Sequence, residues 1–118
     1  MRLIGRDSHL RTIALVDSGA TSTFVPPELA EAVGMETVRQ GESAEGAGGK
    51  FLNDIAVFRF DLLHGSERVY QLECESFVPK DPDRIPYVVL GRDSIFKVYD
   101  ITFRENQEIV AFRPARGR

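Results

Sequence analysis

One cysteine, Cys74, is all that the 118 residues contain, so no internal disulfide can form and a disulfide scaffold is excluded. The thiol stands in Tyr70-Gln71-Leu72-Glu73-Cys74-Glu75, where strand alternation puts it on one face with Leu72 and Tyr70. An inert buried thiol is expected there. A catalytic cysteine needs a base beside it, and the two histidines, His9 and His64, stand in polar, loop-like stretches that predict surface positions. No set of His, Cys and Asp has metal-ligand spacing, so neither a metal nor a cofactor is expected. No apolar run reaches the length of a membrane span, and the N-terminus lacks the hydrophobic segment of a signal peptide. A soluble chain of a reducing compartment, the cytoplasm, is the expectation. The start, Met1-Arg2-Leu3-Ile4, is short and leaves room for an upstream portion. Strong charge bias is missing too: a net charge of -3 gives no reason to expect nucleic acid or a membrane as partner. The basic residues 113–118 are a local exception and read as a solvated, frayed tail.

What is present suffices for one compact domain over residues 1–118, because 42% of the residues are hydrophobic. Neither repeats nor low-complexity tracts divide it. Thr12-Ile13-Ala14-Leu15-Val16 is an apolar run of strand length that stops at Asp17-Ser18-Gly19. Residues 26–34 follow, with prolines at the start, Glu28 in the first turn and Gly34 at the end, which predicts a short helix. Thr23 or the prolines themselves would set its beginning. Residues 36–45 are polar and suit one arm of a hairpin, and Gly46-Ala47-Gly48-Gly49 reads as a mobile turn. Residues 55–62 and 69–78 are β-rich runs on either side of a His64-Gly65-Ser66 turn. A loop rich in proline and aspartate spans residues 79–86, and Tyr87-Val88-Val89-Leu90 predicts a strand buried on both faces. A second short helix over residues 91–98 and a hairpin around Glu105-Asn106-Gln107 complete a mostly β chain with two short helices.

Chemistry concentrates at Leu15-Val16-Asp17-Ser18-Gly19-Ala20-Thr21. An acid directly after a buried apolar strand is costly unless its carboxylate is satisfied. Gly19 allows a tight turn whose backbone N–H groups can point at that carboxylate, and Ser18 adds a hydroxyl. Alone, Asp-Ser-Gly is ordinary turn chemistry. The glycine run does not make a phosphate loop, since Lys50-Phe51 supplies neither the spacing nor the hydroxyl of one.

Three segments, in order, resemble the retropepsin-like aspartic proteases, and the resemblance covers roughly residues 12–112. Ala14-Leu15-Val16-Asp17-Ser18-Gly19-Ala20-Thr21 is similar to the family's Asp-Ser/Thr-Gly-Ala signature. Gly46-Ala47-Gly48-Gly49 stands where the family has its glycine-rich flap tip. Val88-Val89-Leu90-Gly91-Arg92-Asp93 is similar to its apolar–apolar-Gly-Arg-Asn/Asp element. The resemblance implies a closed, barrel-like fold with one lobe per chain, a homodimer, and Asp17 as the catalytic residue. Two aspartates share one proton in this mechanism, because like charges about 3 Å apart cannot both ionise comfortably. Asp61, Asp93 and Asp100 lack the presenting turn, so the second carboxylate would be Asp17 of a second copy, on a two-fold axis. By the same resemblance Ser18, Gly19, Ala20 and Gly91 support the active-site loop. Ser18 would bond across the axis, and Gly91 would pass close behind the loop. Gly19, Gly46, Ala47, Gly48 and Gly49 would contact an extended peptide substrate, the last four as a lid.

The chain departs from the retroviral pattern after the signature, where Thr21 and Ser22 replace the usual acids. Arg92 must then pair with another acid, Asp93 being the nearest in sequence. Two further readings stay open. One is a non-catalytic retropepsin-like module for dimerisation or peptide binding. The other is an unrelated small β-barrel binding domain, monomeric, in which Asp17 merely ends a strand.

Overall fold

The structure, a computed structural model, describes residues 1–46, 49–104 and 109–114. The predicted turn at Glu105-Asn106-Gln107 lies outside the described residues, as do residues 115–118 of the basic tail. The architecture is mostly β with two helices, in the order β1 (Arg2–Ile4), β2 (His9–Arg11), β3 (Ala14–Val16), α1 (Pro27–Val33), β4 (Glu36–Gly46), β5 (Gly49–His64), β6 (Glu67–Pro79), β7 (Val88–Leu90), α2 (Ile95–Val98), β8 (Tyr99–Arg104) and β9 (Ile109–Pro114).

Strand β5 organises the main sheet. Along one edge it pairs antiparallel with β6 from Asn53↔Pro79 to His64↔Glu67. Along the other it pairs first with β4 and then, through Arg59, Phe60 and Asp61, with β1, which carries β2 on its far side. Ala56, Phe58 and Phe60 alternate on β5 and are buried together with Leu3, Val25, Ala30, Val33, Leu72, Val88 and Ile95. Full burial of each phenylalanine is worth about 1.5–3 kcal/mol, so this face fixes the register of the whole strand. Asp61 also lies inside. Its cross-strand partners are Arg2 and Gln71. The Arg2 guanidinium reaches one carboxylate oxygen at 3.3 Å, and Gln71 Nε2 donates to the other at 2.7 Å.

Helix α1 obeys its local signals. Pro26 is the N-cap and Pro27 the first helical residue, where a missing N–H costs nothing. Gly34 ends the helix at φ 85°, a conformation that strains any residue with a side chain. Thr23 takes no part in capping. His9 and His64 are exposed as expected, but both lie in strands rather than loops.

Strand β7 runs parallel to β3, with Ala14↔Val88, Leu15↔Val89 and Val16↔Leu90. All three of its residues are buried. Phe24 then returns beside β7, exchanging backbone hydrogen bonds of 2.9 Å in both directions with Val89. It also bridges to Phe77 of β6. This is the only link by strand pairing between the β3–β7 pair and the main sheet among the described residues, so the implied closed barrel is not found. Pro26 and Pro27 explain why: lacking N–H groups, they stop the segment from extending the ladder past Val25. Strands β8 and β9 form a separate hairpin that docks on β6, where Tyr99 meets Tyr70 edge-on at 5.3 Å. No helix of the described residues is long and apolar enough to cross a membrane.

Candidate active site

Asp17 follows β3 directly, and two backbone bonds hold it there. Its N–H donates to Leu90 O at 3.1 Å, and its carbonyl accepts from Ala20 N–H at 3.2 Å. The turn lets Gly19 N–H donate to Asp17 Oδ1 at 2.8 Å, the contact that the Asp-Ser-Gly sequence predicts. Among the described residues Oδ2 has no hydrogen-bond partner. Ser18 is exposed, and its hydroxyl bonds to nothing in the same chain among those residues.

Gly91 lies directly behind this turn. A Cβ added there would come within 2.6 Å of Ser22 C and 2.9 Å of Ala20 O, and closer still to Ser22 O. Glycine is therefore required by close approach of two backbones. The next residue completes the support, Arg92 N–H donating to Ala20 O at 2.8 Å. The Arg92 side chain is exposed and has no ion pair among the described residues. Asp93, the acid nearest to it in sequence, turns inward to Thr23 instead.

Thr23 is the residue that sequence reading did not single out as part of the site. It is fully buried, and its hydroxyl sits among groups from three positions beyond β7. Thr23 Oγ1 donates to Asp93 Oδ1 at 2.8 Å and accepts from Gly91 N–H at 3.2 Å. Ser94 Oγ lies 2.6 Å from Thr23 Oγ1 and 3.2 Å from Gly91 O, so its one proton is shared between them. Three groups thus depend on one hydroxyl. Thr23→Val keeps the shape and removes the bonds, leaving Gly91 N–H and Asp93 short of a partner. A loss of about 2–4 kcal/mol in urea-unfolding stability is expected. An unchanged midpoint would mean that the network contributes nothing net.

The cleft in front of Asp17 has a volume of about 900 Å³. Gly19, Ala20 and Thr21 line its floor beside Asp17, with Phe24, Phe77 and Val89 as an apolar wall. The β4–β5 hairpin covers it with Ser43, Ala44, Glu45 and Phe51, while Asp81, Asp83, Arg84 and Ile85 come from the loop before β7. Gly46 and Gly49 form the last described pair of that hairpin. Ala47 and Gly48, predicted with them as substrate contacts, lie outside the described residues. Asp61, Asp93 and Asp100 stay away from Asp17: Asp61 is held by Arg2 and Gln71, Asp93 by Thr23, and Asp100 lies 4.0 Å from Arg113 on the separate hairpin. Glu45, Asp81 and Asp83, by contrast, line the same cleft.

Cys74 is half-buried on β6, with its sulfur 3.6 Å from Ser76 Oγ. Burial pushes the thiol above its ordinary pKa, against a smaller opposing effect of the Ser76 hydroxyl. A neutral, poorly nucleophilic sulfur follows. No group of three or more His, Cys, Asp or Glu among the described residues is placed to hold a metal ion.

No curated protein and no solved structure matches the chain. A family model described as aspartyl protease matches residues 6–93, a span that holds the Asp17 turn, the covering hairpin and the Gly91 support. With most of its length matched and the site's parts inside that match, the chain belongs to the retropepsin-like aspartyl protease family.

Proposed function

We propose that the chain is an aspartic endopeptidase, active as a homodimer in which Asp17 of each copy flanks one water. The observation that carries this reading is the presentation of Asp17. A turn holds one oxygen through Gly19 N–H at 2.8 Å and leaves the other unbonded among the described residues, at the floor of a cleft. Asp81 sits on a similar turn in the loop bordering the cleft, with Asp83 N–H on its carboxylate. The family's mechanism, however, pairs two copies of the Asp-Ser/Thr-Gly carboxylate, so the second is taken from a second copy. Of the two, the ionised one takes a proton from the water as its oxygen attacks the peptide carbonyl carbon. The protonated one donates to the carbonyl oxygen. Collapse of the tetrahedral diol returns a proton to the amide nitrogen, and the C–N bond breaks.

The supporting roles follow from the same placement. Gly91 and Ala20 fix the loop from behind, and exposed Ser18 is free to bond across the two-fold axis. An extended peptide would pair with Gly19 C=O on the floor and with the hairpin ending at Gly46 and Gly49, which serves as the flap. Phe24, Phe51 and Phe77 supply apolar surface for alternate side chains.

The test is cleavage of a peptide library as a function of chain concentration, with sedimentation equilibrium on the same samples. Activity per chain should rise in proportion to concentration and level off, with the midpoint of the monomer–dimer transition. A strict monomer that cleaves nothing would refute the proposal. A stable dimer without cleavage would leave a peptide-binding or dimerisation module.

A further inference from the structure

We propose that Arg84 is a positioning residue for the covering hairpin, holding its Gly49–Phe51 end against the cleft so that the subsite is formed before substrate arrives. This rests on the cleft being the peptide-binding site. The loop carrying Arg84 is itself tied down. Lys80 N–H donates to Leu52 O at 3.0 Å, and Lys80 Nζ meets Asp54 Oδ1 at 3.1 Å. Asp81 then organises a turn, accepting Asp83 N–H on its carboxylate at 2.9 Å and Arg84 N–H on its carbonyl at 3.2 Å.

From that turn the Arg84 side chain reaches back to β5. Its guanidinium lies 4.2 Å over the centroid of the Phe51 ring, and Nη2 donates to Gly49 O at 3.3 Å. The planar guanidinium suits both contacts at once. Phe51 in turn lies 6.0 Å from Phe24, which meets Phe77 edge-on at 5.4 Å. One continuous stack therefore runs from β6 through the active-site wall to the hairpin, and Arg84 closes its outer end. Elsewhere the hairpin is held by β4–β5 pairing, with register shifts between Thr37 and Arg39 and between Arg39 and Glu42. The Arg39–Glu75 ion pair at 2.8 Å and pairing with β6 from Asn53 onward also hold it, both farther from the cleft end than Phe51. Without Arg84 the substrate would have to order Phe51 on binding, which weakens affinity and leaves the bound state unchanged.

Arg84→Ala should raise KM about tenfold with kcat within about twofold, the loss of one cation–π contact and one hydrogen bond. In the same variant the amides of residues 50–53 should exchange with deuterium about tenfold faster. Arg84→Lys, which keeps charge and a donor, should recover part of both effects. Arg84→Met, with a long stem but neither charge nor donor, should behave as the alanine variant does. Phe51→Leu removes the ring from the other side and should reproduce the rise in KM and exchange without touching the loop. Unchanged KM and exchange in Arg84→Ala would overturn the proposal, and so would full recovery by methionine. Should the wild-type chain cleave no peptide, the protease reading fails, and the exchange rates still decide the role of Arg84.

Discussion

Asp17→Asn is expected to lower peptide cleavage by at least about 10³-fold while leaving the fold and the dimer in place, since proton transfer by a positioned group contributes about 10²–10⁴ in rate. Asparagine has the same shape, and its side-chain oxygen can still accept the Gly19 N–H that Asp17 Oδ1 accepts at 2.8 Å. What disappears is the ionisable proton. Both halves of the mechanism fail together, because the same residue supplies the base in one copy and the acid in the other, and their losses do not add. Mixing equal amounts of wild-type and variant chain, with time to exchange, separates the dimeric mechanism from a monomeric one. A shared site leaves about half of the activity of the wild-type chain present in the mixture, since only about a quarter of the random dimers pair two wild-type copies. A site complete within one chain leaves all of it. Retention of cleavage by the variant alone would end the assignment of Asp17.

Gly91→Ala is expected to damage the fold severely, with a loss of about 3–5 kcal/mol in folding stability. The cost is unusual for so small a change because every atom in the way is backbone. Ser22 and Ala20 cannot rotate aside as a side chain would. Nor can the loop back away. Asp17 N–H is bonded to Leu90 O, Arg92 N–H to Ala20 O, and Gly91 N–H to Thr23 Oγ1. Any relief of the clash must stretch one of these, and each stretch moves the Asp17 carboxylate. Urea unfolding measures the first effect. A variant selected to remain folded at low temperature should still cleave far more slowly than its folded fraction accounts for. A loss below about 1 kcal/mol would show that the loop yields easily.

The parts legible in the sequence were those with local causes. Pro26, Pro27 and Gly34 bound α1 through φ restriction, a missing donor and a positive φ, all of which operate within a few residues. The continuous apolar run at β7 announces burial on both faces. The Asp17 turn could be read because the residue that bonds its carboxylate stands two positions away. Features joined over long separations could not be read in this way. Thr23 owes its importance to Gly91, Asp93 and Ser94, 68 to 71 residues later. Arg84 resembles any loop arginine until β5 brings Phe51 beneath it. Strands β1 and β2 have three residues each, too few for a period to show, and exist because β5 offers them an edge. The same strand is longer than its apolar run because Lys50 and Asn53 extend it as a polar hairpin with β4. Arg92 could not find the acid nearest to it because Thr23, not a charge, claims Asp93.

The parallel pairing of β3 with β7 has a consequence for how the chain comes into being. Strand β5 finds β6 across a short turn, so the central hairpin can form as soon as residue 79 has emerged. Asp17 must wait. The carbonyl that accepts its N–H belongs to Leu90, and the glycine behind its loop is Gly91. The network at Thr23 is complete only when Ser94 has emerged. A nascent chain therefore carries the Asp17-Ser18-Gly19 segment well before it has a positioned carboxylate, which waits until most of the domain exists. On the proposed mechanism, an unfinished chain lacks the means to cut itself or its neighbours on the same messenger.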